Sequence, residues 1–343
     1  MTDIAFLGCA HIHTPGFVRM LSSRQDIKVK TCWDPDVNRA TPYAQQTGAT
    51  VAGSAEALLG DDSIKGVVIC SETNRHEELV RLTTAAKKHV FVEKPLGMAA
   101  KDAYAMAAEI EKAGVLFQTG YFQRSDPSRR FIKSLLENGS LGRITKVWAS
   151  NAHSGAIGNW FKKRPDAIHE DWNWMTQPSI SGVGAFGDLG THALDILLWW
   201  LGDVEKATAQ IDNVTNTYGC DESGQGLMRF TNGATAALSA GWVDQVDPVQ
   251  YLVSGTEGHA AIIKGQLFVT SKKQPTFDGT AAVRTAELPE KAGHAFELFL
   301  DAISGKTPAV PLVTAREAAY RSAVMEAMYA GAKNDTWVKP AKA

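Results

Sequence analysis

The sequence predicts two unlike folds in one chain. Residues 1–120 read as a doubly wound parallel α/β sheet, and residues 121–343 as an α+β unit with a large, open, mostly antiparallel sheet. Three observations predict this. The 343 residues exceed what a single hydrophobic core ordinarily organises. Strand-like and helix-like patterns alternate through the first third, as right-handed βαβ units require. Beyond Gly142, strand-like runs follow one another with Gly and Asn turns between them.

The elements of the first third follow in order. Ile4-Ala5-Phe6-Leu7 is a short apolar run ending at Gly8, and Phe17, Val18 and Leu21 share one side of the helix that follows. Ile27 to Trp33 alternates as a strand and stops at Asp34-Pro35; Asp36 to Gln46 suits a helix. Thr50 to Ala52 is a short strand, and Ser54 can cap a helix over Ala55 to Leu59. Val67-Val68-Ile69-Cys70 is a continuous apolar strand of the kind covered on both faces. A helix over Glu77 to Ala86, a strand over His89 to Val92, a helix over Ala99 to Ala113 and a strand over Val115 to Gln118 complete the series, with the unit boundary near Gly120.

The remainder reads differently. Pro127 to Asn138 is a helix and Arg143 to Asn151 a long strand. Strands then recur at Ala207 to Val214, Gly226 to Phe230, Ala234 to Trp242, Tyr251 to Ser254, Ala260 to Lys264 and Leu267 to Thr270, with Asn232-Gly233 a strong hairpin signal. Helices return over Glu290 to Ser304 and Thr314 to Ala332. Gly155 to Phe186 is long and irregular, and holds Trp160, His169, Trp172 and Trp174; loops of that length in a compact protein usually serve function.

Composition narrows the function classes. A formal net charge of -2 leaves no basic excess for a nucleic acid. Cys9, Cys32, Cys70 and Cys220 form no CxxC pair, which argues against zinc and disulfide frameworks, so no metal is expected. The N-terminus lacks signal-peptide character and no apolar run reaches membrane-spanning length. The expectation is a cytoplasmic protein with neither a nucleic-acid nor a membrane partner.

Three motifs carry chemistry. The turn after the first strand, Gly8-Cys9-Ala10-His11-Ile12-His13, lies where a dinucleotide fingerprint belongs, with Ala10 and His13 replacing its second and third glycines. His13, near the start of the next helix, can donate to phosphate. Asp34, about 20 residues on, is placed to bind both ribose hydroxyls of NAD; it also suits simply starting the turn at Pro35, and Arg39 nearby could accept NADP. Glu93-Lys94-Pro95 puts an amine at the end of a parallel strand. Asp188 and His192 stand four residues apart on one helix face, with Asp195 on a similar face. Tyr121, Gln123 and Arg124, just past the boundary, are cleft candidates, Arg124 equally a structural ion-pair partner. Trp160, Trp172 and Trp174 suit stacking on sugar C–H faces, and His153 joins them as a substrate-side candidate.

Thr73-Asn74-Arg75-His76, Glu93-Lys94-Pro95 and Asp188 to Asp195, in this order and spacing, resemble the Gfo/Idh/MocA oxidoreductase family over nearly the whole chain. The resemblance implies a Rossmann unit, an open-sheet unit and assembly into dimers or tetramers through the sheet face. It implies NAD(P)-dependent oxidation or reduction of a sugar, inositol or polyol. It makes Lys94 the catalytic lysine and Asp188 and His192 the acid and histidine pair. Gly8, Ala10, His11, Ile12, His13, Asp34, Ser71, Thr73, Asn74, His76, Glu93 and Lys94 become the cofactor-side residues, and the bond before Pro95 is expected to be cis.

In that chemistry a hydroxyl proton leaves as the hydride does. His192 is the leading base, its ordinary pKa being near neutrality, and Lys94 stabilises the reacting oxygen; a desolvated Lys94 could take the proton instead. The same three groups also suit an NAD-dependent glycoside hydrolase or keto-sugar enzyme, which returns its hydride. A non-catalytic sugar or NAD sensor would be expected to lack Lys94 or His192.

Overall fold

The computed structural model describes residues 1–162 and 171–343. The first sheet is formed by β1 (Thr2–Leu7), β2 (Ile27–Trp33), β3 (Thr50–Val51), β4 (Ile64–Ile69), β5 (His89–Val92) and β6 (Phe117–Thr119). All neighbours pair parallel in the order β3-β2-β1-β4-β5-β6. The connecting helices are α1 (Thr14–Leu21), α2 (Val37–Thr47), α3 (Ala55–Leu59), α4 (His76–Ala85) and α5 (Ala100–Ala113). Ser54 accepts from the Ala57 N–H at 3.1 Å, capping α3 as its residue type predicts. The central strands are buried on both faces, hence their continuous apolar runs. The order reverses between β1 and β4, which opens a crevice at their carboxyl ends.

After α6 (Pro127–Glu137), capped by Asp126, comes β7 (Ile144–Ala152). Then follow α7 (Pro178–Ser181), α8 (Ala185–Leu201), β8 (Val204–Asp212), β9 (Ser223–Phe230), β10 (Thr235–Gly241), β11 (Val249–Gly255), β12 (Gly258–Ile263), β13 (Gln266–Ser271), β14 (Asp278–Ala282), α9 (Ala295–Ile303) and α10 (Ala315–Asn334). The eight strands form one sheet, β14-β13-β12-β11-β7-β10-β9-β8, antiparallel except for the β7–β10 pair. Asn232-Gly233 makes the β9–β10 hairpin turn, with Gly233 at φ +87°, a conformation that favours glycine. Alternating burial along β9 and β10 reflects one covered face: α8 lies on it, with Leu194, Leu197 and Leu198 in the core beside Leu238 and Met228.

Two differences from the sequence reading have physical causes. β14 reads Asp-Gly-Thr-Ala-Ala, with little β-branched or aromatic content, and pairs with β13 at only two positions. α9 starts at Ala295 rather than Glu290, because His294 and Glu297 form a capping box there. α9 then returns to the first sheet, where Phe296 stacks on Phe17 at 4.5 Å and meets Phe91 edge-on at 5.4 Å. α10 packs on α5. No helix among the described residues is long and apolar enough to cross a membrane.

Candidate functional site

β5 ends at Val92, and Glu93 and Lys94 project from it at the crevice. The Lys94–Pro95 bond is cis, in line with the resemblance. Lys94 Nζ crosses to the second unit: it donates to Asp188 Oδ1 at 2.7 Å and to the Asp188 carbonyl at 3.3 Å. Asp188 sits in the first turn of α8, and its Oδ2 accepts from Trp242 Nε1 at 3.2 Å. Burial pushes the Asp188 carboxyl up, but the Lys94 ammonium outweighs it and holds the pKa at about 2. This side chain is therefore a carboxylate at working pH.

His192, one turn later on α8, is buried, and its Nδ1 has no hydrogen-bond partner among the described residues. Burial, then the Lys94 ammonium, holds its pKa well below the ordinary histidine value. The ring is neutral and carries a free lone pair. Phe122 lies 5.0 Å from the His192 ring and stacks on His294 at 5.2 Å, so the head of α9 also borders the site.

The cofactor side is a compact polar cluster. Glu93 is fully buried and accepts from the Lys94 N–H at 3.0 Å; its other oxygen lies 3.1 Å from His13 Nδ1. Burial raises its pKa, and His13, His11 and Lys94 together pull it well below the carboxylate range. His11 Nδ1 accepts from the His13 N–H at 3.2 Å, so its proton belongs on Nε2, which faces Glu93 at 3.9 Å. His11, His13 and Glu93 bring three metal-capable atoms within 4.8 Å of one another. The proton on His11 Nε2, however, occupies the lone pair a cation would need. Gly8 has φ +93°, and a Cβ there would lie 2.6 Å from Ser71 Cβ, so β1 and β4 approach closely only because position 8 is glycine. The glycine turn at the strand-order reversal, opening onto the first turn of α1, fits a dinucleotide.

Several of the candidates read from the sequence need correction. Arg124 gives its guanidinium to Asp195 (2.6 Å) and Glu317 (3.1 Å), and Arg321 joins at 2.9 Å; this buried network ties α8 to α10 and is structural. Asp195 thus pairs within the fold. Tyr121 spends its hydroxyl on Thr191 (2.9 Å) and Gln123 accepts from the Tyr251 hydroxyl (2.7 Å), so both brace the wall of the site. Trp174 is buried and donates to the Ala10 carbonyl at 3.1 Å, pinning the glycine turn from the second unit; its face is not offered to a sugar. Ala10 and the half-buried Ile12 pack in the same apolar cluster as Trp174 and Trp172. His76 is fully buried, its Nδ1 3.1 Å from the Leu96 carbonyl, so it supports the segment after Lys94 rather than lining the cleft. Asn74 is exposed, while Ser71 and Thr73 are buried at the end of β4. Asp34, at the end of β2, is buried and accepts from the Cys9 (2.7 Å) and Asp36 (2.9 Å) N–H groups, which ties its carboxylate to the glycine turn; its ribose role stays an expectation. His153 senses Asp188 and Lys94 electrostatically and packs on the exposed Trp160 at 4.6 Å, placing both at the rim. His169 lies outside the described residues.

Sequence reading missed Trp242, Phe122 and His294. Trp242 closes a strand that was legible in the sequence, but nothing local points its indole at Asp188. His294 was detectable only as the N-cap of a capping box.

Comparisons with known proteins match both units of the chain. Residues 2–121 match the "Oxidoreductase family, NAD-binding Rossmann fold" and residues 130–261 the "GFO/IDH/MocA C-terminal domain". The chain is 27% identical to myo-inositol 2-dehydrogenase of Thermotoga maritima, over 71% of this chain and 66% of that one. It is 25% identical to 1,5-anhydro-D-fructose reductase of Ensifer adhaerens, over 80% and 79%. Among solved structures, levoglucosan dehydrogenase in complex with NADH superposes with a TM-score of 0.83 at 19% identity, covering all of both chains. The first match spans the whole parallel sheet and the second reaches from α6 into β12 of the other, and the chain belongs to the Gfo/Idh/MocA family of NAD(P)-dependent oxidoreductases.

Proposed function

We propose that this enzyme moves a hydride between nicotinamide and a secondary hydroxyl or carbonyl carbon of a sugar, inositol or related polyol. Residues 1–120 hold the cofactor and residues 121–343 the substrate. The observation that carries the reading is the 2.7 Å contact between Lys94 of the first unit and Asp188 of the second, with neutral His192 one turn away. Relatives that act on myo-inositol and on 1,5-anhydro-D-fructose support a neutral polyol.

Gly8 to His13 and the start of α1 would hold the pyrophosphate, with Glu93 and His13 by the nicotinamide ribose. The bound cofactor supplies the hydride acceptor. The chain's own groups manage the proton and the charge. Lys94, fixed by the Asp188 carboxylate, donates to the reacting oxygen and stabilises its developing negative charge. His192, held neutral by burial, takes the hydroxyl proton. Asp188 balances the ammonium, and Trp242 fixes the carboxylate. Assembly into a homo-oligomer through the outer sheet face is supported by the exposed Leu227 and Trp337 beside an apolar hollow of about 500 Å³. Four buried free cysteines support a cytoplasmic setting.

A panel of monosaccharides, inositols and glycosides, assayed with NAD and NADP separately, should show net NADH or NADPH formation on a free polyol. Lys94→Ala should bind dinucleotide as the parent does and lose on the order of 10²–10³ in turnover. Parental turnover in Lys94→Ala would overturn the assignment.

A further inference from the structure

The outer end of the cofactor crevice holds a charge arrangement that the catalytic reading does not use. Arg39, on α2, lies over Asp34: its Nη1 is 3.8 Å from Asp34 Oδ1 and 2.5 Å from Glu72 Oε1. The Asp34 side chain is fully buried, whereas those of Arg39 and Glu72 are 22% and 14% exposed and form the surface there. Glu72 Oε2 is buried with no hydrogen-bond partner among the described residues. Glu72 follows β4 directly, just past Ser71, which packs against Gly8. The nearby Arg75 is placed over Trp33, 5.9 Å from the ring centroid.

We infer that Glu72 sets the cofactor preference toward NAD by holding Arg39 away from a 2′-phosphate. This deepens the proposed function and rests on its placement of the pyrophosphate at Gly8 to His13, which puts the second ribose beside Asp34. The carboxylates of Asp34 and Glu72 flank the guanidinium of Arg39, so this arginine is already engaged before any ligand arrives. A 2′-phosphate would have to draw Arg39 out of a short ion pair and leave Glu72, one oxygen of which already lacks a donor, without its arginine. A 2′-hydroxyl is neutral and imposes no such demand. The arginine that by sequence suggests tolerance of NADP is thereby taken out of play by a residue 33 positions away.

The test is equilibrium binding of NADH and NADPH, by nucleotide fluorescence or calorimetry, with no substrate present. The parent chain should favour NADH at least tenfold. Glu72→Gln, which keeps size and frees Arg39, should tighten NADPH about tenfold or more and change NADH by less than about threefold. Glu72→Gln combined with Arg39→Ala should lose that gain. Equal parental affinities, or an NADPH affinity unmoved by Glu72→Gln, would overturn the inference while leaving the dehydrogenase reading intact. Failure of the parent to bind either nucleotide would overturn both.

Discussion

The state of one carboxylate organises the proposed catalytic centre. Asp188 is surrounded by donors, Lys94 on one oxygen and Trp242 on the other, so it stays ionised in a buried position where an unpaired charge would be untenable. Trp242→Phe deletes the N–H together with the pyrrole half of a fully buried indole, so it also opens a cavity. A lost hydrogen bond to a charged group is worth about 1.5–3 kcal/mol. Turnover should fall about tenfold or more, KM should move little, and the melting temperature should drop by several degrees, the cavity adding to the lost hydrogen bond. Steady-state kinetics beside calorimetry checks this, and an unchanged kcat would remove Trp242 from the positioning role. The sequence offered Asp188 and His192 as a pair by their spacing alone. Trp242 stands 54 positions from Asp188, and no periodicity links them.

At the scale of the element, α8 delivers both side chains, and its start is secured from outside. Its N-cap is Gly184, which has no side chain to accept the first N–H groups. The Tyr329 hydroxyl of α10 accepts from the Gly184 (3.2 Å) and Gly187 (3.0 Å) N–H groups and donates to Asp221 Oδ1 (3.1 Å); Asp221 Oδ2 accepts from the Phe186 N–H (2.8 Å). Tyr329→Phe should cost about 1–3 kcal/mol in chemical denaturation, because it strands buried donors. It should also lower turnover, because Asp188 shares that first turn. Parental stability would show that water replaces the hydroxyl. The helix itself was readable from sequence; its cap was not, because the capping groups come from the segment before β9 and from the last helix.

Across the whole molecule, buried neutral histidines link folding to pH. His11, His76 and His192 are buried, and burial is the leading cause that holds each below the ordinary value, His11 at about 3. The unfolded chain takes up these protons below about pH 6.5 and the folded chain does not, so the stability present above that value is lost on acidification. Such a group costs at most about 1.4 kcal/mol per pH unit, and only between its folded and unfolded pKa. Asp188 adds to the loss in the same direction as pH falls from about 4 toward 2. Scanning calorimetry at pH 7, 6 and 5 should show the melting temperature falling at each step, and a flat profile would contradict the burial of neutral rings. The two sheets are joined by Lys94–Asp188, Trp174–Ala10 and the Phe17–Phe296 stack, so acid unfolding should proceed as one transition.

By itself the sequence determined the local order. Apolar runs and turn residues placed the strands of the parallel sheet, Asn232-Gly233 placed a hairpin, and the four-residue spacing put Asp188 and His192 on one helix face. These are properties of neighbouring residues, set by backbone sterics and side-chain periodicity. Tertiary structure decided which polar groups remain available. Arg124, Tyr121, Gln123, His76 and Trp174 carry the same chemistry as site residues, yet each is spent on an internal partner, in most cases on another element. The reason is that a buried polar group must find a partner wherever the fold brings one near. That partner is fixed by three-dimensional packing, which spacing along the chain does not encode.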